Sequence, residues 1–373
     1  MLTARGETNP SDHPLDKIQQ NENTEIKWDL PPPNKQRYYE GRIQRKLPYH
    51  FEPSPGEYKQ SIINEKGKTL YSVKYTFGRF ANRVHPSLSP NRKPKDHFMI
   101  LMGGSNTFGQ WVPDKATLGN QLQKILNANS LEVKVTTLAL LGSSLSSIYN
   151  LLKSIDINKA FPQERGTLIY NFFYVHINRD NCLPPAILWS QGKHPWNELE
   201  NGNVVNKGKC NDQLSIKWQL LAQNYLLPIL SYIDLFLPPK KNFTDFITKE
   251  NALFTFHILK AIHTLLEDKG KKIKTYVLIN NIRQNNYPKN SIRPLELFKR
   301  KIEESEFELI PHDDNYLPSR KEKLTFKYDG HYNEKGYRVL SDLIYKGLLK
   351  LNWGNYLNAG NQQKTQKSGK SND

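Results

Sequence analysis

Cysteine is nearly absent from this 373-residue chain: Cys182 and Cys210 are its two thiols. Two is too few for a disulfide scaffold, and neither sits in a Cys-x-x-Cys or metal-ligand spacing. They bracket one loop-like segment, which leaves a single bridge in an oxidising compartment and two separate thiols both open. Long apolar runs are also missing. The most apolar stretch, Leu226 to Pro239, is interrupted by Ser231 and Asp234 and is too short to span a bilayer. Met1 to Asp29 is polar without an apolar central region, so no export segment is read there. The compartment stays open between the cytoplasm and, should an export segment be missing, the envelope or exterior. There is no internal repeat and no Gly-x-Ser-x-Gly elbow of the large α/β hydrolase class.

Negative charge is the minority sign, with 36 Asp+Glu against 53 Lys+Arg and a formal net charge of +17. A basic surface attracts anionic partners. Here the lysines and arginines are spread along the chain without forming one basic arm, which reads as a solubility surface, and no nucleic-acid partner is expected. Aromatics at 11% and charged residues at 24% leave ample material for a core.

The ends are polar. Residues 1–36, which include Pro31-Pro32-Pro33, read as a flexible arm, and 356–373 as a disordered tail. Residues 37–95 form a β-rich extension, with two or three strands expected between Tyr58 and Val84 around breaks at Gly67 and Gly78. From 96 to 355 the pattern alternates strand and helix. Phe98-Met99-Ile100-Leu101-Met102 is a short continuous apolar run, as in a strand buried on both faces. Further strands are expected at Val133–Leu141, Thr167–Ile177, Lys274–Asn280 and Phe307–Ile310. Helices are expected at Leu118–Leu126, Ser144–Ile155, Gln213–Phe236 (kinked at Pro228), Lys249–Lys269, Pro294–Glu304 and Asn333–Leu351. The Pro184-Pro185 to Gly202 stretch reads as a loop. The fold class is therefore α/β, a three-layer α/β/α sandwich on a parallel five-stranded sheet. In such sheets ligands sit at the carboxyl ends of the strands.

Two stretches carry nucleophile chemistry. Gly103-Gly104-Ser105-Asn106-Thr107-Phe108-Gly109 follows the first buried strand, where glycines permit tight geometry and close approach of a substrate. A serine there needs a base to remove its proton. Tyr328-Asp329-Gly330-His331-Tyr332-Asn333 precedes the last helix and offers an imidazole base with a nearby carboxylate to orient it.

Together these blocks resemble the first and last signature blocks of the SGNH (GDSL-type) hydrolase superfamily. Leu138 to Ser144 resembles its second block, in which a glycine closes a strand. The resemblance spans roughly Asp96 to Leu351. It implies a flavodoxin-like sandwich and a serine mechanism on esters without metal or cofactor. Carried over by position, Ser105 is the nucleophile, His331 the base and Asp329 its partner. The oxyanion donors are then Ser105, Gly142 and a residue of the third block. That block departs from the family's Gly-x-Asn-Asp and reads Phe172-Phe173-Tyr174-Val175-His176-Ile177-Asn178-Arg179-Asp180, so the third donor is either Asn178 or His176. Two more departures are Gly104, where many members have aspartate, and the Asp-x-His spacing of the last block. The latter occurs in branches linked to polysaccharide O-acetyl groups.

Arg179, Asn106 and Trp196 are expected substrate contacts, and Trp111, Trp189 and Trp196 have faces suited to sugar rings. The expected substrate is a short acyl ester, with acetyl on a polysaccharide or envelope polymer the class that the resemblance favours. The alternatives are acyl transfer to a glycan by the same triad, and a non-catalytic glycan- or anion-binding protein on a degenerate hydrolase fold.

Overall fold

Strand β4 (His97–Gly103) is buried along its entire length, because its alternate residues serve two different cores. Met99 and Leu101 enter one apolar cluster, and Phe98, Ile100 and Met102 enter the other. A period of two across a sheet covered on both faces produces this division. It explains why the sequence there is apolar without interruption.

The computed structural model describes residues 15, 24–29, 55–64, 66–87, 97–183, 194–212, 247–280, 289–311, 324–326 and 330–357. Around β4 run β5 (Val133–Ala139), β6 (Arg165–Phe172), β9 (Lys272–Ile279) and β10 (Glu308–Leu309), all parallel, in the order β10-β9-β6-β4-β5. Counted from β4 this is 2-1-3-4-5, the doubly wound order in which a crevice opens at the strands' carboxyl ends where the winding reverses. Helices α2 (Leu118–Ala128) and α8 (Glu334–Lys350) supply core residues on one face. Helices α3 (Leu145–Ser154), α6 (Lys249–Glu267) and α7 (Lys289–Glu303) do so on the other. The expected three-layer sandwich is what the chain forms. No helix among the described residues is long and apolar enough to cross a membrane.

The β-rich extension is continuous with this sheet. Strands β1 (Thr24–Asp29), β2 (Gly56–Asn64) and β3 (Thr69–Phe77) pair antiparallel. Arg83 then bridges Phe77 of β3 to Thr137 of edge strand β5. Tyr58, Ile62, Val73, Tyr75 and Phe77 bury their side chains in the same cluster as Met99 and Leu101. At roughly 1.5–3 kcal/mol per buried large apolar side chain, that shared surface binds the extension to the sandwich.

Several expectations are corrected. Strand β1 lies inside the stretch read as a flexible arm. Its six residues alternate uncharged and charged, with only Ile26 and Trp28 apolar, a pattern easily lost in polar surroundings. The β6 strand ends at Phe172, and Val175–Asp180 forms helix α5, where one strand had been expected to reach Ile177. A continuous apolar run carries no period that marks its end. The expected loop contains a hairpin, β7 (Pro195–Glu200) and β8 (Asn203–Lys209). Its Asn201-Gly202 turn has positive φ at both residues, as a two-residue primed turn requires. Cys182 and Cys210 form a disulfide that ties this hairpin to the end of α5. The expected helix over Gln213–Phe236 lies outside the described residues.

Candidate active site

Ser105 opens a four-residue helix, α1 (Ser105–Phe108), directly after β4. Gly104 O accepts from the N–H groups of Thr107 and Phe108, and Gly109 ends the turn at φ 88°, a left-handed conformation that glycine adopts without penalty. The serine is thereby held at the carboxyl edge of the sheet, half-buried.

The last block reaches the same edge. Thr325 and Tyr332 form an antiparallel bridge, Phe326 N–H donates to His331 O (2.8 Å), and Asn333 N–H donates to Leu324 O (3.0 Å). Asn333 then caps α8 by accepting from Gly336 N–H at 2.9 Å. Held in this way, His331 lies with Nε2 2.8 Å from Ser105 Oγ, although the two residues are 226 positions apart. That distance is a hydrogen bond, the arrangement a base needs to take a hydroxyl proton. Asp329 lies outside the described residues.

Beneath the pair runs a buried polar chain that sequence reasoning missed. Tyr332 donates its hydroxyl to Asn280 Oδ1 (2.6 Å), Asn280 Nδ2 to Asn171 Oδ1 (3.3 Å), and Asn171 Nδ2 to Thr107 Oγ1 (3.1 Å). It connects the residue after the histidine to the helix that begins at the serine. The signal was present: Asn171 is an amide inside an apolar strand, and Asn280 closes another. A buried amide persists where its hydrogen bonds are made.

A second device grips the Ser105 turn from below. Arg83 is fully buried. Its Nε donates to Asp114 Oδ1 (2.6 Å), Nη1 to Phe108 O (3.0 Å) and Gly109 O (3.1 Å), and Nη2 to Val112 O (2.9 Å). Its guanidinium lies 4.3 Å from the Tyr75 ring centroid and 4.6 Å from that of Phe108. The planar fork answers the carbonyls that α1 leaves open at its carboxyl end.

On the other side, Gly142 adopts φ 72° in the turn after β5. Ser143 ties that turn down, donating to Gly103 O at 2.9 Å. Helix α5 lies alongside: Arg179 Nη1 donates to Ser143 O (3.3 Å). A Cβ placed on Gly104 would fall 2.9 Å from His176 Nε2 and 3.0 Å from Arg179 Nη1. The absent side chain at 104 is therefore what lets α5 approach the peptide that leads into Ser105. His176 and Asn178 are both buried, and Asn106 is half-buried on α1. Burial holds the His176 imidazole neutral, far below its ordinary titration range, and the nearby Arg179 charge adds to this. Asp180 anchors the back of α5. It accepts from Ser146 N–H (2.8 Å) and from Thr255 Oγ1 (3.1 Å), and its burial raises the carboxyl pKa to about 6.

Trp111 is unavailable to a sugar, being fully enclosed in the core against Tyr71. Trp196 packs partly buried against the Cys182–Cys210 disulfide, and Trp189 lies outside the described residues.

No family description matches the sequence, and no curated protein does. Solved structures align over much of the chain. An esterase from Pseudoalteromonas sp., inhibited by monoethylphosphonate, is 11% identical and covers 69% of this chain and 98% of its own at a TM-score of 0.38. A lipase/acylhydrolase from Enterococcus faecalis is 14% identical, with coverage of 68% and 95% and a TM-score of 0.35. An acetyl xylan esterase is 9% identical, with coverage of 67% and 99% and a TM-score of 0.36. At such low identities and TM-scores, the chemistry of this chain has to be argued from its own site.

Proposed function

We propose that this protein is a serine-dependent hydrolase of carboxylic esters with short acyl groups, working through an acyl-enzyme. The observation that carries the reading is the 2.8 Å contact between His331 Nε2 and Ser105 Oγ. Ser105 Oγ attacks the acyl carbonyl while His331 Nε2 takes the hydroxyl proton. The tetrahedral oxyanion is held by the N–H groups of Ser105 and Gly142 and a third donor from α5. It collapses as His331 returns the proton to the leaving alcohol. Water then repeats the sequence on the acyl-enzyme, releasing the carboxylic acid and free Ser105. Asp329 is the proposed orienter of His331, and Arg179, Asn106 and Trp196 are proposed substrate contacts. The acyl group is proposed to be acetyl on a carbohydrate or envelope polymer.

A fluorophosphonate serine probe tests the assignment. The parent should label and Ser105→Ala should not; labelling retained in the mutant removes Ser105 from the role. His331→Ala should lower turnover of a short-chain aryl ester by at least about a hundredfold. Unchanged turnover would exclude His331 as the base.

A further inference from the structure

The third oxyanion donor can be chosen from the hydrogen bonds around α5. On a strand, residues 176 and 178 would share a face; on a helix they diverge by about 200°. Because Val175–Asp180 is helical, only one of the two can be turned toward the nucleophile. His176 is the one so turned, since its Nε2 lies against Gly104, the residue before Ser105. Arg179, about 60° from His176 around the helix, reaches the same spot.

The ring's tautomer follows from its other nitrogen. Phe173 N–H donates to His176 Nδ1 at 3.3 Å, and the Tyr170 hydroxyl lies 2.9 Å from the same atom. A backbone N–H can only donate, so Nδ1 is an acceptor and the single ring proton of the neutral imidazole sits on Nε2. The nitrogen that carries it is the one that lies against Gly104. Among the described residues Nε2 has no hydrogen-bond partner, although the side chain is 2% exposed. That leaves the Nε2–H donor free to pair with an acceptor brought to the site.

We propose that His176, through Nε2–H, is the third oxyanion donor and that Asn178 is not. The assignment rests on the serine-esterase reading of Ser105 and His331. No proton is transferred: Nε2–H donates a hydrogen bond to the oxygen that becomes negative when Ser105 attacks. Gly104 belongs to the same device, because any side chain there would displace the imidazole.

The test uses the full-length protein. ¹⁵N-edited NMR of the parent's histidine rings should find His176 neutral and protonated at Nε2 from pH 5 to 9. Its Nε2–H signal should move downfield when a phosphonate forms a tetrahedral adduct on Ser105. On a short aryl ester, His176→Ala should lose about a hundredfold in kcat with little change in KM. His176→Asn, which restores an N–H, should recover part of that, and Asn178→Ala should stay within about threefold of the parent. His176→Ala within threefold of the parent, an Nδ1–H tautomer, or an Nε2–H signal unmoved in the adduct each overturns the proposal. If Ser105→Ala and His331→Ala remain inactive in that case, the esterase reading survives alone. Failure of the parent to label at Ser105 overturns both.

Discussion

Arg83, beneath the Ser105 turn, and Asp180, beneath α5, are both buried charges, and the protein holds them by different means. Arg83 meets a carboxylate, three carbonyls and two aromatic faces, so its charge is neutralised and its donors are used. Asp180 has hydrogen bonds from Ser146 and Thr255 to offset its burial, and its pKa rises to about 6. A guanidinium keeps its charge at every working pH, whereas this carboxyl changes state within a range that proteins encounter. The wall that presents Ser105 is thus anchored by a charge whose partners are all in place. The wall that presents His176 is anchored by a group whose ionisation costs stability.

The comparison can be broken most forcefully at Arg83. Arg83→Met removes the charge and leaves the carbonyls of Phe108, Gly109 and Val112 without their donor and Asp114 without its partner. Breaking a buried, hydrogen-bonded pair from one side costs about 3–5 kcal/mol. Denaturant unfolding should report that loss. Arg83→Lys should recover little of it, since one ammonium cannot replace a fork that serves four acceptors. A loss under about 1 kcal/mol would mean that the extension merely leans on the Ser105 turn.

Asp180 gives the next effect. Its folded pKa, about 6, lies above the ordinary aspartate value of 3.8. Between those values the folded state binds more protons than the unfolded one. Stability is therefore full below about pH 4 on this account, falls as pH rises through 6, and then levels off. The span corresponds to about 3 kcal/mol. Asp180→Asn should remove most of this slope in urea titrations at pH 4.5, 6 and 7.5, with other groups supplying a common background. An unchanged slope would show that the carboxyl is not what sets the pH response of the α5 wall.

The two walls also differed in how much of them could be read beforehand. Ser105 and His331 stand at element boundaries that composition marks well: glycines after a buried apolar strand, and an Asp-Gly turn before a helix. The five-stranded sheet was visible for the same reason, because strands buried on both faces are continuous apolar runs. The α5 wall was hidden. Thr167 to Ile177 is a largely apolar, aromatic run with no period that marks an end, so nothing indicated that the strand stops at Phe172, and on a strand His176 and Asn178 could not be told apart. Arg83 and Asp180 were unreadable because a charge's value depends on partners far away in the chain. Asn201-Gly202 was readable as a hairpin turn, yet its proline-rich surroundings gave it the look of a plain loop.

The smallest expected effect concerns the polar chain that runs beneath Ser105 and His331. Tyr332→Phe removes one hydroxyl, leaves the ring in place, and deprives Asn280 Oδ1 of its 2.6 Å donor. The stability cost should be about 1 kcal/mol, the net value of one hydrogen bond, with the higher end reached because Asn280 is buried. Activity is the sharper readout. Tyr332 follows His331 directly, and the chain ends on Thr107 in the helix that Ser105 begins. If the chain sets the spacing of the pair, kcat on a short aryl ester should fall severalfold at unchanged KM, because contacts to the bound ester are untouched while the proton-transfer distance is loosened. Asn171→Ala, one link further on, should give the same split. Equal kcat in both variants would assign the chain to packing alone and leave Arg83 as the device that positions the Ser105 turn.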